Sequence, residues 1–112
     1  MERRNHPRIE LDSTVLYSKD ISPKLTIASV LNLSMGGTRI ETLYPLNEDE
    51  GLELSIAVGE RAMKCRGWVK YALRQEDGTV GAGVEFEPLS KSDRVYLRQY
   101  LSHLVEAQAA EV

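Results

Sequence analysis

Two short segments of the chain carry side chains with usable chemistry. The first is Arg3-Arg4-Asn5-His6-Pro7-Arg8, in which Arg4 and Arg8 are spaced Arg-x-x-x-Arg. Guanidinium forks pair bidentately with phosphate oxygens and with the Hoogsteen edge of guanine, and they stack on flat rings. The second is Asn32-Leu33-Ser34-Met35-Gly36-Gly37, which fits the pattern Asp-or-Asn, x, Ser, x, x, Gly. Small polar groups and glycines on a tight turn let a flat base approach the backbone. Each segment has an ordinary reading as well, a solvated basic terminus and a hairpin turn respectively. Arg94 and Arg98 repeat the Arg-x-x-x-Arg spacing within a helical stretch, so spacing alone says little. The two segments together, in this order and about one strand pair apart, form the specific signal.

The elements that must position these segments are mostly strands. Residues 1–8 read as a flexible basic arm, with Pro7 biasing His6 toward an extended conformation. Ile9 to Ser18 predicts a first strand, and Asp20 to Lys24 with Pro23 a turn. Leu25 to Leu33 predicts a second strand running into the Ser34–Gly37 turn, and Thr38 to Leu43 a third that completes the hairpin. After the acidic loop Pro45 to Gly51, Leu52-Glu53-Leu54-Ser55-Ile56-Ala57-Val58 alternates as a half-buried strand does. Ala62 to Leu73 and Val80 to Phe86 follow, with Gly81 and Gly83 permitting a bulge or close packing. Near the C-terminus, Ser90, Ser92 and Asp93 offer helix caps. Leu97, Leu101, Leu104 and Val105 then recur at helical spacing, which predicts a helix over about residues 92–107. The expectation is a mainly β protein, a six-stranded antiparallel β-barrel capped by a C-terminal α-helix, with residues 9–112 as one domain.

Composition narrows the function. The 112 residues suit one core, and 42% hydrophobic with 28% charged residues is an ordinary globular balance. No apolar run reaches the ~20 residues of a membrane span, and none follows the basic start as in a secretory signal. The lone Cys65 fits a reducing cytosol and reads as a buried structural thiol. A net charge of -3 with 6% aromatics argues against a basic groove for DNA or RNA, whereas a local arginine cluster suits a small anionic ligand. His6 and His103 lie far apart, no His/Cys set has metal-ligand spacing, and no Gly-rich phosphate loop leads into a helix. Nothing recommends an enzyme, a metal site or a cofactor.

On its two motifs the chain resembles the PilZ domain family, whose members typically bind cyclic di-GMP. Gly83-Val84-Glu85-Phe86, followed by Leu89-Ser90 and Asp93, resembles the family's final strand and helix entry, so the likeness spans roughly Arg3 to Leu104. The resemblance implies a PilZ-like split barrel and a ligand set. It assigns Arg4 and Arg8 as the motif arginines, with Arg3 an additional candidate. Asn32 and Ser34 are expected to hydrogen-bond a guanine, with Gly36 and Gly37 forming the turn and Gly37 keeping the base's path clear. Asn32 stands where many relatives carry Asp. Tyr71, at the fifth position of Gly67-Trp68-Val69-Lys70-Tyr71, either stacks on a base or is a half-buried barrel tyrosine. Arg39 is an extra cation, and Trp68 is expected in the core or against the helix. The implied function is a cytoplasmic bacterial second-messenger receptor, in which cyclic di-GMP orders the arm to regulate an unidentified protein effector. The alternatives are a PilZ-like adaptor that binds no nucleotide and a small barrel for single-stranded nucleic acid.

Overall fold

The computed structural model describes residues 9–110, and the side chains of residues 13–107. Six strands are formed: β1 (Ile9–Lys19), β2 (Ser22–Leu33), β3 (Gly37–Thr42), β4 (Gly51–Val58), β5 (Arg61–Arg74) and β6 (Val80–Phe86). They close into a barrel in the order β1-β2-β3-β6-β5-β4, with every neighbouring pair antiparallel and β4 returning to β1. One helix, α1 (Lys91–Ala110), follows.

Alternation decides which face each strand buries. On β4, Leu52, Leu54, Ile56 and Val58 point inward, while Glu53 and Ala57 face solvent. Each such inward side chain contributes about 1.5–3 kcal/mol by leaving water. Val15, Tyr17, Val30, Leu33, Ile40, Met63, Val69, Val84 and Phe86 complete the interior. Cys65 packs partly buried against it, and burial pushes its thiol up to about 12, as an inert structural sulfur requires.

The helix seals the interior with Leu97 and Leu101, which are buried, and Leu104, which is partly so. Ser90 is the cap: its Oγ accepts from the Asp93 N–H at 3.1 Å. Tyr96 donates its hydroxyl to the Val58 carbonyl at 2.7 Å, and the Arg61 guanidinium lies over the Tyr96 ring while pairing with Asp93 at 3.1 Å. Val105 is exposed rather than part of the sealing stripe. It follows Leu104 by one residue, and each residue turns the helix by about 100°.

Two further expectations need correcting. The β1–β2 turn is only Asp20-Ile21, because Ser22, Pro23 and Lys24 already belong to β2. Pro23 is tolerated there because β2 pairs with β3 only from Ser29 to Leu33, so no β3 ladder needs its missing N–H. Trp68 is neither in the core nor against the helix. It is 39% exposed on the outer wall, with its ring over Gly51 and the Arg66 guanidinium 5.4 Å from its centroid. Arg66 in turn binds Asp20 at 2.7 Å, Glu53 at 2.9 Å and Glu87 at 2.8 Å, which pins the β1–β2 turn to β4 and β5. These hydrogen bonds hold the Asp20 carboxyl below its usual range and raise the Arg66 guanidinium further.

Candidate ligand-binding face

The Asn32–Gly37 segment forms the β2–β3 turn, and its serine faces inward. Ser34 is 3% exposed; its Oγ donates to the Gly37 carbonyl at 3.3 Å and accepts from the Gly36 N–H at 3.2 Å. The Ser34 N–H donates to the same Gly37 carbonyl at 2.9 Å. The hydroxyl thus satisfies the turn's own polar groups, a job that side-chain oxygens do well in tight turns. Gly36 accepts from the Phe86 N–H at 2.9 Å, which ties the turn to the end of β6. Gly37 is a glycine for a related reason. A Cβ there would strike the Val84 carbonyl oxygen, so the residue permits the close approach of β3 to β6.

Beside the turn, barrel closure lines up four outward-facing positions. Asn32 on β2 pairs with Arg39 on β3, Arg39 with Gly83 on β6, and Gly83 with Tyr71 on β5. A one-residue register shift between Val69 and Tyr71 turns Tyr71 outward. Its ring lies across Gly83, where a Cβ would fall against the ring carbons. Gly81 lies under the Gln75 side chain, whose amide bridges Glu41 at 2.7 Å and Thr79 at 2.6 Å. The glycines thus seat their neighbours: the Tyr71 ring lies on Gly83 and the Arg39 guanidinium reaches toward Gly81, so a cation and an aromatic ring share the outer face.

The carboxylates on this face already have partners. Glu41 is held by Gln75, and Glu85 lies 3.8 Å from Lys70. Arg39 is different: its Nε is buried and meets no acceptor among the described residues. A buried guanidinium nitrogen without an acceptor costs about 1–3 kcal/mol or more, so the position favours an anion or a base edge placed against it.

The structure therefore brings Asn32, Arg39 and Tyr71 into one row, with Ser34, Gly36 and Gly37 shaping the turn beside it. Arg3, Arg4 and Arg8 lie outside the described residues. Gly83 is the member that sequence reasoning did not place in the site. Its signal was the glycine pair at 81 and 83, two apart and therefore on one face of the strand. Among the described residues no cluster of His, Cys, Asp or Glu could hold a metal ion. No helix of the described residues is long and apolar enough to cross a membrane.

The fold is a closed six-stranded antiparallel barrel sealed by a terminal helix, with a cation and an aromatic ring sharing its outer face. The chain belongs to the PilZ domain family, whose model matches residues 2–103. Among solved structures it is similar to the Bacillus subtilis inhibitor of motility MotI/DgrA, with a TM-score of 0.81 at 18% identity over 98% of this chain and 53% of that one. It is also similar to the K. pneumonia MrkH–c-di-GMP complex, with a TM-score of 0.80 at 16% identity over 100% of this chain and 56% of that one. The PilZ domain of Escherichia coli YcgR with c-di-GMP gives a TM-score of 0.73 at 16% identity, over 98% of this chain and 96% of that domain. The chain thus spans about half the length of the MotI/DgrA and MrkH chains. No curated protein matches it.

Proposed function

We propose that this chain is a receptor for cyclic di-GMP and that the nucleotide lies on the outer face along the Asn32–Arg39–Gly83–Tyr71 row. Membership of the PilZ family supports this, as do the c-di-GMP complexes of MrkH and YcgR among similar structures. The observation that carries it is the buried Arg39 Nε without an acceptor among the described residues, beside the Tyr71 ring that Gly83 seats on the outer face. A flat, anionic ligand needs a cation at one edge and a ring to stack on.

In this reading Arg4 and Arg8 clamp the phosphates and guanine edges from the arm. Arg39 supplies a fixed cation beneath the ligand, and Asn32 reads a base edge. Tyr71 stacks on a base or on an arginine of the arm. Ser34 and Gly37 act indirectly: the serine holds the turn shut and the glycine lets β3 approach β6. Ligand binding orders the arm across the barrel and presents a new surface to a protein effector, without a catalytic step.

Isothermal titration with cyclic di-GMP, cyclic di-AMP and a short oligonucleotide tests the reading. Binding of cyclic di-GMP with strong preference over the other two is expected, because a site built to hydrogen-bond one base edge rejects the mismatched one. Absence of cyclic di-GMP binding would leave the protein an adaptor. Amide hydrogen exchange across residues 2–9 tests the arm, and equal protection with and without saturating ligand would remove it from the mechanism.

A further inference from the structure

At the end of the β2–β3 pair far from the Ser34–Gly37 turn, the two strands part. Pairing with β3 stops at Ser29, so residues 22–28 hold to β1 alone. Between that stretch and Leu43–Pro45 lies an open groove of about 800 Å³, with Ile21, Leu25, Ile27, Leu43 and Tyr44 on its walls and Tyr17 among its lining residues. The wall residues are unusually bare: Ile21 is 85% exposed, Leu43 74%, Ile27 69%, Leu25 66% and Tyr44 53%.

At roughly 200 Å² for each whole residue, these five expose on the order of 700 Å². Monomers rarely leave an apolar patch of more than a few hundred Å² uncovered. The value is close to the ~800 Å² that each partner of a standard interface buries.

Both walls are held in place. The Asp20 N–H donates to the Gly51 carbonyl at 3.0 Å, and the Asp20 carboxylate is bound by Arg66. Lys19 donates to the Pro45 carbonyl at 2.9 Å and pairs with Glu50 at 3.3 Å. Tyr17 and Thr42 share a hydrogen bond of 2.9 Å beneath the groove. A patch fixed in this way loses little conformational freedom on docking.

The rim points to the occupant. Exposed Lys24 stands on the β2 wall, and past Pro45 the chain continues into exposed Glu48 and Asp49, whose loop is tied to the groove by the Lys19–Glu50 pair at 3.3 Å. A two-fold axis through the patch brings each wall against the opposite wall of its mate, so Lys24 of each copy meets the acidic rim of the other. Pro23 and Lys24 blunt the open strand edge, so side-chain burial rather than a shared backbone ladder drives the contact.

We propose that this groove is the interface of a two-fold dimer with a second copy of this chain. The inference is independent of the nucleotide reading, because the patch lies away from the Asn32–Tyr71 row.

Sedimentation equilibrium up to about 200 μM protein tests it, a range that registers a Kd as weak as ~100 μM. Reversible monomer–dimer exchange is expected. Leu43→Asp and Ile27→Asp should each weaken it at least about tenfold, and the double variant should be monomeric. Both side chains are exposed, so circular dichroism should be unchanged. Lys24→Glu should weaken the dimer, and adding Glu48→Lys with Asp49→Lys in the same chain should restore it. A wild-type protein that stays monomeric throughout, or a dimer indifferent to the double variant, overturns the proposal. Nucleotide titration of Leu43→Asp should match the wild type, so failure here and failure of the receptor reading give different results.

Discussion

Replacing Arg39 with Met separates a group kept for a ligand from one kept for the fold. Met preserves most of the apolar stem that packs along β3 and removes the guanidinium. In the ligand-free protein the buried Nε meets no acceptor among the described residues, and such a donor costs about 1–3 kcal/mol. Arg39→Met therefore relieves a penalty, and the unfolding free energy read from urea titration should hold or rise, by up to about 1 kcal/mol after the lost stem contacts are counted. Binding should move the other way. A charged hydrogen bond to a phosphate or base edge contributes about 1.5–3 kcal/mol, so cyclic di-GMP affinity should fall roughly 10- to 150-fold. Arg39→Lys retains the charge but not the fork, and should recover only part of the loss. Calorimetric titration of both variants, with urea unfolding of the unliganded proteins, reads the two quantities separately. An affinity equal to wild type for Arg39→Met would refute the role in binding. A loss of several kcal/mol in unliganded stability would show that Arg39 serves the fold.

Four other outcomes are expected. Arg4→Ala and Arg8→Ala should each cost roughly 1.5–3 kcal/mol of binding, with Arg3→Ala costing less, and thermal unfolding without ligand should barely change; wild-type titration curves for both would remove the motif arginines from the site. Gly83→Ala should destabilise by about 1–3 kcal/mol, because its Cβ meets the Tyr71 ring, and Tyr71→Ala should relieve much of that cost; additive effects in the double-mutant cycle would contradict the contact. Ser34→Ala should destabilise the ligand-free protein by about 1–3 kcal/mol in urea unfolding, since the Gly36 N–H loses its acceptor; a neutral result would show that the hydroxyl does not hold the turn. Cys65 should react slowly with a disulfide reagent at pH 8 and quickly once urea is added, and equal rates would contradict its burial. Its folded thiol titrates near 12, above the ordinary value of 9.0, so the folded state keeps a proton that the unfolded state has lost, and stability should fall as pH rises from about 9 towards 12.

Local rules carried the architecture a long way. Alternation of period two in Leu52–Val58 marked β4, and the spacing of Leu97, Leu101 and Leu104 marked the helix, because both patterns depend on nearest neighbours and on which face meets the core. The Asn32–Gly37 motif was legible as a turn for the same reason. What the turn does with its atoms was not legible. Ser34 directs its hydroxyl into the turn and Gly37 gives way to the Val84 carbonyl, and the second of these depends on β6, which is remote in sequence. The β2 start at Ser22 depends on its pairing with Lys19 of β1, and the exposure of Trp68 depends on Arg66 and Gly51 beside it. The row of Asn32, Arg39, Gly83 and Tyr71 draws on four strands, and the bulge beside Tyr71 decides whether its ring reaches Gly83. By itself the sequence determined the family, the kinds of element and the residues able to do chemistry. Only the tertiary structure decided which of them share a face, because a strand's register and a barrel's closure are set by all its partners at once, and a slip of one residue sends every side chain to the other face.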